Sequence, residues 1–592
     1  MIELIITDRL HRKIGAEEDL HRLITMRPLK KKEITLARKM GIRRFYLPSL
    51  TGAESSDFLR EFDSFWDQVI KPFDEDHPFW RNVVSSKMQE WESSAAYFAL
   101  ILYTLARRAT RELPFIVVVC SSLEEEELCE EWGRKIGWKV YRRPYLSLPY
   151  WGRRIVQEIW NLKRFLYMFS LCLYQKWLFP KYEPKSPATN THILVTSLFY
   201  KGCFKKGEYR DPFFGNLHNI IDQNGNSVTY LCSPLGNFRE SAREIRECNE
   251  VSILVPFSII TWSQLILLGL KVLRRRFQLP QTDFGGCDFS RLIMWNVRRF
   301  DYVFNLHAEI CYAAVKELCK REHFNRLIQL YEGNVFERGC MQAFRKYGSG
   351  PIVGYSHAVV FPLNLKIRLT DKEKEQRPEP DVLVSTGPEN KRLMAKIGNR
   401  ESTRIYAGCS LRSIPVSRNT KREQTGPLNI LVALDGVRSS TTVLDWLIEH
   451  VESLEDYKVN LRAHPNVPIR TLLSQCLYDM PGNFYLSDGD LREDIENCYC
   501  VIYRQTSVGI QALMNGVPVV HLDIDAPLPC DPIMNLESSK WAVRTRGELL
   551  TALKEIHSLD GERKRRLMSV AKKYSKDYFT SPDDKNILRV FK

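Results

Sequence analysis

Through most of this chain, short β-branched apolar runs alternate with stretches whose apolar residues recur every three or four positions. Residues 114–120, 193–198, 228–232, 326–331, 352–355 and 381–385 read as buried strands. A second series follows at 428–434, 458–462, 483–486, 500–503 and 517–522. Apolar strands separated by helical segments predict parallel sheets covered on both faces. The expected fold class is therefore α/β, with two Rossmann-like domains, a cleft between them and helical insertions in the N-terminal half. Residues 1–411 form the first domain, the hydrophilic stretch 412–427 a linker, and 428–592 the second domain. Residues 1–112 add a short strand at 2–6 and no recognisable chemistry.

The best-marked unit runs from Cys500 to His521: a strand, a polar turn, a short helix and a second strand. Thr506 and Ser507 stand where a helix N-cap belongs, and Gly516 where a left-handed stop belongs. Ligands of parallel sheets bind at the carboxyl ends of strands. Hydroxyls at a helix start suit a phosphate there, and equally suit plain capping.

Two stretches interrupt the alternation. Residues 150–182 mix aromatics with basic residues. Residues 251–270 carry no charge and are followed by Lys271 and Arg274-Arg275-Arg276. Three readings stay open for the second stretch: a core strand plus helix, an amphipathic helix on a membrane surface, or a span. The flanking cations would suit anionic lipid.

Length and composition narrow the picture. A chain of 592 residues exceeds one core, and 44% hydrophobic with 27% charged residues is a globular balance. The net charge of +15 favours acidic or phosphorylated partners. Fifteen scattered cysteines without a C-x-x-C pair argue for reduced thiols and a cytoplasmic setting. The first residues have no secretory pattern, so no signal peptide is expected. P-loop, H-E-x-x-H and G-x-S-x-G motifs are absent, as is any metal-ligand spacing, so neither a metal nor a cofactor is expected.

Chemistry is expected where strands end. Glu332 directly follows the strand at 326–331, and Gly333 lets the backbone turn into a helix. A carboxylate there faces the cleft and could take a proton from a hydroxyl; it also simply suits a helix N-terminus. Glu337 reads as an ion-pair partner of Arg338 or Arg345. His464 ends the strand at 458–462, where Pro465 stops the ladder, and imidazole can serve a phosphate as negative charge develops on it. His357, in Gly354-Tyr355-Ser356-His357, is a second histidine just past a strand. Asp435 and Gly436 form a turn at the first strand end of the second domain, where a backbone could approach a phosphate. Arg504 and Arg462 could bind phosphate or carboxylate, or serve as salt-bridge residues.

Taken in order, Tyr331-Glu332-Gly333, His464-Pro465 and Thr506-Ser507 resemble the three motifs of bacterial sialyltransferases of the GT-B fold. The wider context, 331–338, 354–357 and 380–388, resembles bacterial surface-carbohydrate proteins that handle nonulosonic acids or Kdo. The resemblance covers roughly residues 325–550. It departs in having Tyr-Glu-Gly in place of two acids and Gly, and Thr-Ser in place of Ser-Ser.

The resemblance implies an inverting, metal-independent glycosyltransferase. It would move a nonulosonic acid or Kdo-like sugar from a CMP donor to a surface-glycan or lipid-linked acceptor. Glu332 would be the general base and His464 would bind the CMP phosphate. Thr506 and Ser507, with Arg504, Asp435, Gly436 and Arg462, would hold the donor, and His357, Tyr331 and Gly333 would support the site. The partners implied are a nucleotide sugar, a glycan or glycolipid acceptor and peripheral contact with an anionic membrane at its cytoplasmic face, with no nucleic acid. The alternatives are a CDP-polyol phosphotransferase, a nucleotide-diphosphate-sugar transferase, and a non-catalytic membrane- or nucleic-acid-binding scaffold.

Overall fold

The computed structural model describes residues 3–591 apart from 11–20, 28, 75, 88–93, 109–114, 144–147, 180–181, 183–191, 200–202, 206–207, 276, 299–304, 377–378, 400–403, 413–427, 438–439 and 466. All but the first residue of the expected linker 412–427 therefore lies outside the described residues.

The span 1–411 holds two separate parallel sheets where the sequence pattern suggests one. The first comprises β1 (Glu3–Thr7), β2 (His21–Thr25), β3 (Arg43–Arg44), β4 (Phe115–Val119) and β5 (Lys139–Arg142), in the order β3-β2-β4-β1-β5. Every neighbouring pair is parallel. Helix α1 (Gly52–Ile70) opens with a capping box: Thr51 accepts from the Glu54 N–H, and Glu54 accepts from the Thr51 N–H. Its buried stripe Phe58, Phe62, Phe65 and Trp66 has helical spacing and packs beside α2 (Ala95–Arg108), which is buried from Ala95 to Leu105.

The middle module contains α3 (Tyr150–Leu178) and the strands β6 (His192–Phe199), β7 (Ser227–Pro234) and β8 (Ser252–Leu254). After α4 (Trp262–Arg274) and α5 (Asn305–Arg321) come β9 (Arg326–Leu330), α6 (Val335–Tyr347), β10 (Ile352–Ser356), β11 (Val382–Ser385) and β12 (Ile405–Ala407). The sheet order is β8-β7-β6-β9-β10-β11-β12, parallel throughout. The order reverses between β6 and β9. Residues 251–275 thus resolve into a short strand, a helical turn and an amphipathic helix. Among the described residues no helix is long and apolar enough to cross a membrane, so the reading of 251–270 as a span fails on its Pro256 break and polar content.

The last module has β13 (Leu428–Ala433), β14 (Tyr457–Arg462), β15 (Phe484–Leu486), β16 (Cys500–Tyr503), α7 (Val508–Met514), β17 (Val519–Leu522) and β18 (Lys540–Val543). Its order β15-β14-β13-β16-β17-β18 is the doubly wound Rossmann arrangement, with the reversal between β13 and β16. Middle and last modules are thus the two Rossmann-like α/β domains expected. Helix α8 (Gly561–Tyr578) packs on α7, and the chain then returns to the middle module. There Thr580 N–H donates to Thr386 O at 2.9 Å, and α9 (Asp584–Phe591) buries Ile587 and Phe591. Arg326 donates to the Phe591 carbonyl at 2.8 Å.

The first module bridges the other two. Towards the last module, Arg44 pairs with Asp445 at 2.8 Å, Leu50 N–H donates to Pro527 O at 2.9 Å, and Arg38 donates to Leu477 O at 2.7 Å. Towards the middle module, Arg81 pairs with Glu309 at 2.7 Å, Lys87 with Glu373 at 2.9 Å and Arg368 with Asp63 at 2.5 Å. Its core cluster also takes in Phe361, Leu363, Leu365, Ala526, Leu528 and Cys530. The first module is thus a structural brace, built largely from aromatic packing.

Candidate functional site

Glu332 lies just past the carboxyl end of β9, beside the reversal of the middle sheet. The turn that presents it depends on Gly333, whose φ is +78°; an added Cβ there would lie 2.9 Å from the Lys366 carbonyl oxygen. Glu337, on the first turn of α6, closes the turn. Its carboxylate accepts from the N–H groups of Glu332, Gly333 and Asn334 at 3.0 Å each, and from Asn334 Nδ2 at 2.9 Å. This corrects its reading as an ion-pair partner: Arg338 goes to Glu373, and Arg345 reaches Asp381 and the Glu379 carbonyl. Burial and the neighbouring Glu332 charge push Glu337 up to about 8 against those N–H bonds.

Glu332 itself is 28% exposed at the side chain and accepts from His357 Nε2 at 2.9 Å. The acceptor is a carboxylate, so Nε2 carries the proton of this bond. Asn334 Nδ2 approaches the other carboxylate oxygen at 3.4 Å, and Lys366 Nζ donates to Asn334 Oδ1 at 3.2 Å. Burial raises the Glu332 pKa, but His357, Lys366 and Asn334 outweigh it and hold it at about 2. His357 makes a T-shaped contact with Phe213, 4.5 Å between ring centres, and its Nδ1 is buried without a hydrogen bond. Tyr331 packs its ring into the apolar core, so its side chain stands apart from this group.

From the opposite module, His464 ends β14 and lies against the turn after β13. A Cβ on Gly436 would meet its Nδ1 at 2.9 Å, so only glycine admits the ring this close. Burial lowers the His464 pKa; Asp435 and Glu332 act to raise it, and Arg412 to lower it. The Glu332 carboxylate of the middle module therefore lies within electrostatic reach of the His464 imidazole of the last. Asp435 is buried, takes a hydrogen bond from Ser440 Oγ, and has its pKa raised by that burial. Its carboxylate is 3.7 Å from Arg504.

Arg504, 3% exposed, donates to the carbonyls of Ile524 at 3.1 Å and Asp525 at 2.7 Å, anchoring the loop after β17. Arg462 binds Gly489 O at 2.9 Å and Asp494 at 2.5 Å, tying together the loops beyond β14 and β15. Both guanidiniums hold backbone in place around the strand ends.

The hydroxyl pair divides. Helix α7 starts at Val508, and Ser507 is already helical (φ −64°, ψ −12°) with no side-chain cap. Thr506 Oγ1 accepts from the Val508 N–H at 3.4 Å, the bond of an N-cap two residues on, and Ser507 Oγ has Gln511 Nε2 at 3.5 Å. Ser507 is half-buried and Thr506 buried. Gly516, with φ +71°, ends α7 as expected.

Phe213, Lys366, Asn334 and Arg412 were not read from the sequence as site residues. Asn334-Val335-Phe336-Glu337 has the spacing of a capping box, a signal for the turn; the other three carry no local pattern. Among the described residues no group of three His, Cys, Asp or Glu could hold a metal ion. Two cavities lie elsewhere, about 460 Å³ between α3 and α4 and about 560 Å³ along α8.

No protein-family model matches the chain, and no curated protein matches it. Among solved structures it is similar to Acinetobacter baumannii MurG, with 14% identity over 68% of this chain and 99% of that one, TM-score 0.38. The glycotransferase of kitacinnamycin gives the same four values. Staphylococcus aureus MnaA, in a co-structure with UDP, matches at 10% identity over 68% and 95%, TM-score 0.41. The domain arrangement rests on the strand orders above, which stand without these distant likenesses.

Proposed function

We propose that this chain is an inverting GT-B glycosyltransferase that moves a nonulosonic acid or Kdo-like sugar from a CMP donor to a glycan or lipid-linked acceptor. One observation carries the reading. Glu332 and His464 come from different modules and stand at strand ends near the reversals of two parallel sheets, and the Glu332 charge acts to raise the His464 pKa.

The chemistry divides between the modules. Glu332 accepts the proton of the acceptor hydroxyl as that oxygen attacks the anomeric carbon. With a pKa of about 2 it is a weak base towards water, so the proton crosses late, when the attacking oxygen has become acidic. His357 fixes the carboxylate's orientation at 2.9 Å. The departing CMP gains one negative charge on its phosphate. His464 donates a hydrogen bond to it, Thr506 and Ser507 offer hydroxyls, and Arg412 supplies positive charge nearby. Free CMP carries about two negative charges against about three on a nucleoside diphosphate, so this leaving group asks less of a cation and the step proceeds without a metal.

The test is a thermal-shift series with CMP, CDP, UDP and GDP, followed by transfer assays with CMP-sugars. CMP should stabilise the chain by mass action. Glu332→Gln should keep CMP binding and lose transfer by about 10²–10⁴-fold, while His464→Ala should weaken CMP binding itself. Stabilisation by UDP or CDP alone would replace the donor. Salt-sensitive nucleic-acid binding without any nucleotide response would replace the enzyme by a scaffold.

A further inference from the structure

Nineteen large hydrophobic side chains are exposed among the described residues; nine lie on α3 and four on α4. That concentration singles out one face of the molecule. Along α3, Trp151, Ile155, Ile159, Leu162 and Leu166 follow one another at spacings of four and three, so they form one stripe. On α4, Trp262, Ile266 and Leu270 repeat every fourth residue. The two helices are locked together where Gly269 meets the Phe169 ring; an added Cβ would come within 2.4 Å of it. The two stripes therefore belong to one rigid surface.

The charge on this surface has one sign. Helix α4 has Lys271 and Arg274, both exposed, and no acidic residue. The only acid on α3 is Glu158, which faces Arg298 at 3.3 Å. Exposed Lys163 lies over the Trp160 ring at 4.8 Å. In the cavity behind the face, Arg275 is held by Glu309, and the exposed cations beside the stripes include Lys163, Arg164, Lys271 and Arg274. Tryptophan and tyrosine bodies with cations beside them match the boundary between headgroups and acyl chains.

From this juxtaposition we infer that the α3–α4 face docks in the plane of an anionic lipid bilayer, with its aromatic stripe among the acyl-chain ends and its cations on the headgroups. The inference stands on these two helices and is independent of the chemistry at the cleft.

Vesicle flotation of the full chain tests it, with phosphatidylcholine alone and with added phosphatidylglycerol. The protein should float with the anionic vesicles, and brominated acyl chains should quench its tryptophan fluorescence. Lys163→Glu, Lys271→Glu and Arg274→Glu should each weaken binding by at least about fivefold. Tyr167→Glu with Leu267→Glu should abolish both flotation and quenching, while circular dichroism and thermal midpoint match the parent. Equal binding to both vesicle types, or none, would overturn the inference. So would a concentration-dependent dimer in light scattering that the Tyr167/Leu267 pair of substitutions dissolves, because the occupant would then be a second copy.

Discussion

Glu332 and Glu337 sit five residues apart and their pKa values shift in opposite directions, because their partners differ. Glu332 takes a hydrogen bond from His357; at Glu337 burial and the charge of Glu332 outweigh the N–H bonds and Lys366. Removing His357 takes away the largest of the influences that lower Glu332. The carboxyl then moves up from about 2. With His357→Ala, the acidic limb of kcat/KM should move upward from its place near pH 2 in the parent. A merely structural role would lower kcat/KM equally at all pH values. The stability signs follow from the same shifts. Glu332, with its lowered pKa, stabilises the fold above pH 4.5 and loses that contribution only as pH falls towards 2. His464, also lowered, withdraws stability as pH falls through its ordinary 6.5, where the unfolded chain takes up the proton first.

The turns that aim these side chains depend on glycines. Gly333 combines a positive φ with a carbonyl 2.9 Å from its missing Cβ. Gly333→Ala should cost about 1–2 kcal/mol for the left-handed backbone alone, read by urea denaturation, and should displace Glu332 with it. At Gly436 the neighbour is the His464 ring, which can swing away, so Gly436→Ala should leave the melting point almost unchanged and weaken nucleotide binding. These positions explain what was legible in the sequence. A glycine after an apolar strand marks a strand end, and Glu332 and Asp435 were placed on that ground; Pro465 placed His464, and the start of a helix placed the Thr506-Ser507 pair. His357 was read as a second histidine past a strand without its partner, which lies one strand away, in a register that no local spacing encodes. The overlooked strands are β2, β3, β5, β12 and β18. The last four are sheet edges with exposed positions, so their apolar signal is diluted. Arg504 and Arg462 looked available for a ligand, yet carbonyl oxygens occupy them, and a sequence does not show where a carbonyl will point.

At the scale of the whole molecule, the brace across both Rossmann-like modules was the least legible feature, because its contacts join residues hundreds of positions apart. Ion pairs on both sides restrain the cleft: Arg44 with Asp445 on one, Arg368 with Asp63 on the other. Small-angle scattering should therefore give nearly superimposable profiles with and without CMP. Arg44→Ala combined with Arg368→Ala should enlarge the radius of gyration of the free form and restore a nucleotide-dependent contraction. A large contraction in the parent would show that the brace slides with the modules and does not fix them.

The brace also sets a timetable for synthesis. Its aromatic interior is made early, yet some of the surfaces that shield it, at 361–365 and 526–530, emerge much later; the bond from Arg38 to Leu477 spans 439 residues. Until then the nascent chain carries a sticky, incomplete core. Slow passage and a holding chaperone should therefore raise the yield of active protein far more than lowering the temperature of the finished chain.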